Sequence, residues 1–329
     1  MQSNSVSATA RLREARPIAS DVRLMRFESV DGTVHNTAGA HLTFALPLGG
    51  GTTRSYSVID DGLRSDLVSI AVKRESPGRG GSAHMWSLEP GAEIRIVESG
   101  NSLPVSYGAK DYLLIAGGIG VTPLTSVASA LRSADRPVRM AYCAKSADHA
   151  AFADRLTELL GDRIAFHLSD QGSRLDVDRL IDTVEPGTQV YFCGPQRLSD
   201  AIKRAWAVRK LPVADLRYET FASSGRLPVT SFSVTVEETG QTVDVPPDIT
   251  LLEALVGSGH EIMYECMRGE CGLCKLVVTA ADAEIDHRDV FLSEHEKSAG
   301  DSICACVSRL SGGHARIRVD GISHGRSGG

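Results

Sequence analysis

No stretch of this 329-residue chain approaches the ~18 apolar residues of a membrane-spanning helix, so no membrane span is expected. The first residues, MQSNSVSATARLR, lack the apolar core of a secretory signal, and none is expected. There are no internal repeats, and the only biased segment is a short Gly/Ser tail. No basic stripe runs through the chain, which argues against nucleic acid as a partner. With 42% hydrophobic residues the chain can build ordinary cores, and its length suits two or three domains. These absences leave a reduced, cytoplasmic globular protein as the expectation.

Disulfides are the next thing missing. Seven cysteines are an odd number, and five of them lie between 266 and 306, which suits a metal site better than a disulfide framework. Cys266-Met-Arg-Gly-Glu-Cys271-Gly-Leu-Cys274 reads C-x4-C-x2-C, the spacing of a plant-type [2Fe–2S] loop with its last ligand far downstream. Zinc is the main rival, but zinc sites favour pairs spaced C-x2-4-C. The spacing leaves the fourth ligand open between Cys304 and Cys306. The chain is therefore expected to move electrons one at a time.

Charge is unevenly placed. Residues 229–329 hold 16 Asp+Glu and 8 Lys+Arg, a net of −8; the whole chain is 35 − 41 = −6, so residues 1–228 carry +2. Such an acidic stretch aids solubility in any protein. It would also steer an electron-donating face onto a basic partner.

Three segments follow in order. Residues 1–108 carry short strand-like runs at 8–15, 22–28, 42–46, 55–59, 67–73 and 94–98, punctuated by Gly, Pro and Asp, and predict an antiparallel barrel. Residues 109–222 alternate strands (112–116, 138–143, 164–168, 190–193) with helical stretches, the pattern of a parallel sheet with crossover helices. Residues 223–230, including Gly225-Arg-Leu-Pro228, read as a linker. Residues 231–321 form the cysteine-bearing domain, with strands at 232–237 and 315–319 and a helix opened by the capping box Thr250-Leu-Leu-Glu253. Residues 322–329 read as a flexible tail.

Each segment carries a candidate binding run. In Arg54-Ser55-Tyr56-Ser57, a cation for a phosphate, a flat aromatic and a hydroxyl donor alternate along one strand, which is what a flavin needs; surface and core placement is the competing explanation. Val72-Lys73 precedes Gly78-Arg-Gly80-Gly81-Ser82, small residues with a Ser cap at a helix start, where backbone N–H groups and the helix dipole favour an anion. Gly117-Gly118-Ile-Gly120-Val-Thr122-Pro123 follows a buried strand and opens a helix, with Thr122 as N-cap and Pro123 as first helical residue; its glycines would let the backbone approach a pyrophosphate. Cys193-Gly194-Pro195 at a later strand end could line a nicotinamide pocket, or be an ordinary turn.

Taken together and in this order, these runs resemble the phthalate dioxygenase reductase family, which includes vanillate O-demethylase reductases. Tyr218-Glu219-Thr220-Phe221, Asp286-His287-Arg288-Asp289 and Cys306-Val-Ser-Arg309 extend the resemblance over nearly the whole chain. The resemblance implies a flavin-binding β-barrel, an α/β nicotinamide domain and a C-terminal plant-type ferredoxin (β-grasp) domain. It implies FMN held by Arg54, Ser55, Tyr56, Ser57, Val72, Lys73, Gly80, Gly81, Ser82 and Thr122, with Phe221 over its ring. It implies a nicotinamide site of Gly117, Gly118, Gly120, Pro123, Lys145, Ser146, Cys193, Gly194 and Pro195, with Ser57, Cys193 and Glu219 at the hydride-transfer point. The cysteine before Val-Ser-Arg is the family's usual fourth ligand, giving Cys266, Cys271, Cys274 and Cys306. Two departures stand out: Asn101-Ser-Leu-Pro104 lacks the family's aromatic before Pro, and Lys145 stands where an Arg is common. A 2′-phosphate usually wants Arg, and an Asp follows at 148, so NADH is the expected donor. The implied function is the NADH-dependent reductase of a Rieske-type aromatic oxygenase, ring-hydroxylating or O-demethylating. A cytochrome P450 acceptor and a redox-sensing regulator are the alternatives.

Overall fold

The computed structural model describes residues 2–30, 37–48, 52–59, 67–75, 80–221, 225, 227–267 and 269–319. Gly78, Arg79, Arg268, most of the Gly/Ser-rich stretch before Leu227 and the expected tail at 322–329 lie outside them. The chain divides into two units, Met1–Thr220 and Phe221–Gly329.

Six antiparallel strands open the first unit: β1 (Gln2–Ala19), β2 (Val22–Ser29), β3 (Ala40–Ala45), β4 (Thr53–Ile59), β5 (Leu67–Lys73) and β6 (Glu93–Asn101). They close a barrel in the order β1-β2-β5-β4-β3-β6, so no edge is left open. The 18-residue β1 far exceeds the expected 8–15, because it pairs with both β2 and β6 and closes the barrel. Register shifts between Leu12 and Glu14 and between Pro17 and Ala19 bend it to do so. Phe27 and Phe44 meet inside, with ring centroids 5.4 Å apart. Helix α1 (Gly81–Ser87) buries Met85 against this core.

A parallel sheet follows: β7 (Asp111–Gly117), β8 (Val138–Ala144), β9 (Ile164–Leu168), β10 (Thr188–Cys193) and β11 (Leu216–Glu219), in the order β11-β10-β7-β8-β9. Helices α2 (Val121–Ser133), α3 (Ala153–Leu160), α4 (Val177–Asp182) and α5 (Gln196–Val208) make the crossovers. Every residue of β10 is buried, as a central parallel strand covered on both faces requires. The chain runs outward from β7 to β9, then returns to the other side of β7 as β10. That reversal makes the carboxyl ends of β7 and β10 the place where such sheets bind ligands. Barrel and sheet lock into one unit through two bonds: the buried Ser126 hydroxyl on α2 donates to the Val58 carbonyl on β4 at 2.9 Å, and the part-buried Ser106 N–H donates to the Tyr191 hydroxyl at 2.9 Å.

The second unit is a mixed five-stranded sheet, β13-β12-β18-β14-β16, built from β12 (Phe232–Val236), β13 (Thr242–Val245), β14 (Lys275–Ala281), β16 (Ser302–Cys304) and β18 (His314–Arg318). β12 and β18 are parallel, and the other neighbours are antiparallel. Helix α6 (Leu251–Gly257) packs across it, opened by the expected reciprocal cap: Thr250 Oγ1 accepts from Glu253 N–H while the Glu253 carboxylate accepts from Thr250 N–H. A short pair, β15 (Ile285–Asp286) with β17 (Arg309–Leu310), and helix α7 (Glu294–Ala299) complete the β-grasp arrangement. Buried Arg309 donates to the carbonyls of Thr230, Pro246 and Ile249 and lies over the Phe232 ring, fastening β17 to the sheet's entrance.

Candidate functional site

The candidate flavin residues converge from three elements. On β4, Arg54 lies against the start of α1 so closely that a Cβ on Gly81 would sit 2.7 Å from Arg54 Nε and 2.9 Å from Cγ. Gly80 precedes the helix at φ 76, a conformation that favours glycine. Ser82 is inside the helix rather than its cap: its hydroxyl accepts from Glu75 N–H at 3.0 Å and ties α1 to the end of β5. The Trp86 indole donates to the Val72 carbonyl at 2.9 Å, a second tie. Lys73, at the end of β5, is within 3.9 Å of Asp21 and 3.7 Å of Glu75. Ser55 is exposed and hydrogen-bonds Thr43 at 2.8 Å. Tyr56 packs on Phe44 with centroids 5.9 Å apart, and burial pushes its hydroxyl pKa up against the opposing pull of Arg54. Burial does not alternate cleanly along β4, since Ser57, Val58 and Ile59 are all buried where α2 covers the strand.

Ser57 carries the strongest mark of a missing ligand. Its hydroxyl is buried without a hydrogen-bond partner, an arrangement that costs roughly 1–3 kcal/mol unless something binds there. Arg54 and Tyr56 are two residues apart on one strand and share a face, so the strand presents a cation beside a flat aromatic, with the Ser57 hydroxyl one residue further on. These residues fit a flavin phosphate and ring.

The nicotinamide loops meet at the switch point. A Cβ on Gly120 would lie 2.2 Å from the Cys193 carbonyl oxygen, and one on Gly117 would lie 2.6 Å from Pro195 Cδ. Gly194 is equally confined, with Gly117 Cα 3.0 Å from its would-be Cβ. Gly118 adopts φ 54 and faces open space. Thr122 is not the N-cap. A short 3-10 turn at Gly118–Gly120 precedes α2, Gly120 takes the cap position, and the Thr122 hydroxyl donates back to the Ile119 carbonyl at 2.9 Å. Pro123 is the third helical residue, still within the first turn, whose N–H groups have no helical partner. In register, Ala116, Cys193 and Glu219 form one row across β7, β10 and β11, and all three are buried. Beyond β8, Lys145 is exposed, and the Ser146 hydroxyl pairs with His149 Nδ1 at 2.7 Å. Phe221 begins the second unit, half-buried.

The thiols form the third group. Met267, Gly269 and Gly272 hold the loop in left-handed turns at φ 52, 74 and 75. The amides of Glu270 and Cys271 both point at Cys266 Sγ, 3.4 Å away. Cys274, Cys304 and Cys306 are buried, whereas Cys266 and Cys271 are half-buried. Neighbouring Cys304 and then Cys306 hold the Cys274 thiol below its usual range. Cys306 is within hydrogen-bond reach of both Cys266 and Cys274, and Cys304 of Cys274. Thiols in this spacing, with two amide donors aimed at Cys266, suit an iron–sulfur cluster. The two remaining thiols lie on the parallel sheet, and burial pushes that of Cys143 up to about 11.

Two groups escaped the sequence reading of roles. His41 is buried and sits directly across from Ser57 on β3, with Nδ1 3.3 Å from Ser102 Oγ; a lone histidine gives no signal until strand pairing is known. In the departing stretch Asn101–Pro104, Leu103 fills the core at 1% exposure and the Asn101 side chain accepts from Leu103 N–H at 3.0 Å. The Asp286–Asp289 run is a scaffold for the cysteine loop. Arg288 forms a buried pair with Asp286 at 2.7 Å, Arg288 N–H donates to Ser308 Oγ, and the Ser308 hydroxyl donates to Asp289 at 3.0 Å. Burial alone would raise Asp289, but the His287 imidazole 3.7 Å away, hydrogen bonds from Leu292 N–H and the Ser308 hydroxyl, and nearby Lys297 outweigh it and hold the carboxyl below its usual range.

Known proteins match this arrangement. Residues 234–311 match the family model of a 2Fe-2S iron-sulfur cluster binding domain, and residues 114–204 that of an oxidoreductase NAD-binding domain. The vanillate O-demethylase oxidoreductase of Pseudomonas sp. (strain HR199 / DSM 7063) is 33% identical over 89% of this chain and 94% of its own length. The heme-dependent oxidative N-demethylase beta subunit of Ectopseudomonas mendocina (strain ymp) is 35% identical over 92% and 95%. The solved structure of phthalate dioxygenase reductase, a modular structure for electron transfer from pyridine nucleotides to [2Fe–2S], superimposes with a TM-score of 0.75 at 30% identity, covering 95% of this chain and 98% of that one. No helix among the described residues is long and apolar enough to cross a membrane.

Proposed function

The chain belongs to the phthalate dioxygenase reductase family, and from that premise we propose that it is the NADH-dependent reductase of a multicomponent Rieske-type aromatic oxygenase, ring-hydroxylating or O-demethylating. The family uses NADH, FMN and a [2Fe–2S] cluster. When bound, the flavin takes a hydride from reduced nicotinamide and the cluster carries single electrons, the conversion that a one-electron acceptor requires.

The observation that carries the reading is the buried, unpartnered Ser57 hydroxyl beside the Ser126–Val58 bond that seats α2 on the flavin strand. One turn of α2 back from Ser126 lies Thr122, and just before it the interlocked glycine loops. In this reading Arg54 and the backbone amides of Gly80, Gly81 and Ser82 hold the flavin phosphate. Tyr56 and Val72 wall the ring, with Ser55 and Lys73 completing the cradle, and the Ser57 hydroxyl donates to the ring. The amides of Gly117, Gly118 and Gly120 donate to the nicotinamide pyrophosphate, with Pro123 shaping the turn. Cys193, Gly194, Pro195 and Glu219 close around the nicotinamide itself and exclude water, and Lys145 and Ser146 meet the adenosine ribose. Positioning of this kind is what the protein contributes to hydride transfer. Exposed Lys145 is the one cation in the run 144–148 and Asp148 follows, so NADH is preferred over NADPH. Cys266, Cys271, Cys274 and Cys306 hold the cluster, and among the downstream thiols Cys306 is favoured by its reach to two of the others.

Plant-type clusters sit near roughly −400 mV and Rieske centres at about −150 to +300 mV, so delivery to a Rieske oxygenase is downhill. The relative named as a heme-dependent N-demethylase subunit supports a second reading, in which the acceptor is a haem protein.

Anaerobic titration with NADH, followed by visible absorbance and low-temperature EPR, tests the relay. Flavin and cluster should bleach together and yield a rhombic [2Fe–2S] signal. Flavin bleaching without that signal would reduce the protein to a flavin reductase. Reconstitution with a Rieske oxygenase and with a haem acceptor then separates the two readings, and comparative kinetics should give a clearly lower kcat/KM for NADPH.

A further inference from the structure

Between the outer face of the barrel and the segment that follows β8 lies a cavity of about 610 Å³, lined by none of the residues assigned above to flavin or coenzyme. We propose that it binds an organic monocarboxylate with a flat apolar body, of the kind an aromatic acid presents.

One wall is the β1–β2 pair. Met25 and Phe27 fill the barrel core, so Leu24 and Arg26, one residue out of phase, point outward. In register, Arg26 stands across from Glu14 and Leu24 across from Arg16, which sets these four side chains on one face. The other wall runs from Ala147 to Arg155. It is fastened to the β1–β2 turn by Ser20 N–H, which donates to the Asp148 carbonyl at 2.8 Å, and to the sheet by the Tyr142 hydroxyl, which donates to the Ala151 carbonyl at 3.2 Å. Phe152 on this wall is held at φ 61, an uncommon conformation for a bulky residue and one met at ligand clamps.

The cations decide the ligand's charge. Arg26 is the deepest, its side chain 12% exposed, and it shares the Glu14 carboxylate with Arg16. Two guanidinium groups on one carboxylate leave N–H donors to spare. Arg155 donates to the Ser129 hydroxyl at 3.3 Å and has no carboxylate within ion-pair distance among the described residues. A guanidinium fork matches a carboxylate and also stacks on flat rings. Asp148 and Asp154 line the cavity too, but both are exposed, where water and salt screen them. They offset part of the positive charge, so one negative charge suits the cavity better than the two of a phosphate. Ile18, Leu24, Ala150 and Phe152 supply the apolar surface for the body.

The test is calorimetric titration of the flavin- and cluster-loaded protein with benzoate, and separately with inorganic phosphate. Benzoate should bind saturably and more tightly than phosphate. Arg155→Met should weaken benzoate binding by about tenfold, the loss of one charged hydrogen-bonding partner, with NADH–ferricyanide activity and thermal melt close to the parent's. Arg26→Met should weaken it further, and Arg155→Met carries the test alone should Arg26→Met fail to fold. Absence of saturable binding, benzoate affinity unchanged in Arg155→Met, or phosphate binding as tightly as benzoate each overturns the inference. Displacement of benzoate by AMP would put it on the coenzyme path and overturn the inference as well.

Discussion

Replacing Gly120 by alanine tests the idea that two loops must touch for this protein to use a nicotinamide. The added Cβ would stand 2.2 Å from the Cys193 carbonyl oxygen, 2.4 Å from its carbon and 2.8 Å from Gly194 N. Real Cβ contacts essentially never fall under 3.0 Å and ordinary ones lie at 3.4–4 Å, so the loops must part by about 1 Å. The opposing atoms are backbone at the end of β10, a strand bonded on both sides, and they cannot retreat as a flexible side chain would. Overpacking of this kind costs about 1–3 kcal/mol, which in a unit of this size lowers Tm by roughly 2–12 °C. A ~1 Å displacement of a positioning loop costs on the order of 10²-fold, so kcat/KM for NADH, assayed with ferricyanide to bypass the cluster, should fall by about that factor with flavin content unchanged. Gly118→Ala is the control. Nothing lies within 4 Å of its Cβ, but its φ of 54 strains any other residue. It should lose about 1–2 kcal/mol of stability and far less activity. A Gly120→Ala protein whose kcat/KM stays within about twofold of the parent refutes the reasoning.

Three other outcomes are expected. Ser57→Ala removes the only donor atom of a buried side chain left without a partner, and should slow NADH oxidation about ten- to hundredfold while the protein still retains flavin on gel filtration. Gly272→Ala would drive a Cβ to 2.2 Å from the Phe291 ring at a backbone φ of 75, so iron content per chain should drop while NADH–ferricyanide activity persists. The Lys275 ammonium, then the Ser293 amide and hydroxyl, hold the Glu296 carboxyl down to about 2 from 4.5. Because the folded value is the lower one, its stabilising effect is whole above pH 4.5 and is lost as pH falls toward 2. Thermal melts of the parent should therefore decline through that window, and those of Glu296→Gln should decline less.

The readable parts of this chain are those whose signal is local. The runs at 67–73 and 164–168 coincide with β5 and β9 to the residue, and the Thr250–Glu253 cap forms as its spacing requires. The cysteine loop and both glycine loops were visible because their chemistry demands contiguous residues. What stayed hidden depends on partners distant in sequence. β1 outran its pattern because barrel closure supplies a second partner, and β13 and β16, four and three residues long, are too short to stand out unpaired. Thr122 and Ser82 look like caps, but glycines just before them take the turn first and leave the hydroxyls to other bonds. His41 becomes interesting only once β3 is aligned with β4.

The mutual confinement of Gly117, Gly120 and Gly194 bears on how such a protein can change its coenzyme. Each loop is the other's wall, so a substitution on one side meets backbone on the other, and drift at either is tolerated only if both move together. Lys145 and Ser146, just beyond β8 and proposed to meet the adenosine ribose, stand on a half-open edge where side chains can lengthen into solvent. Libraries aimed at turning this reductase toward NADPH should therefore vary that edge and leave the glycines fixed, and coenzyme switches among its relatives should be recorded at the same edge.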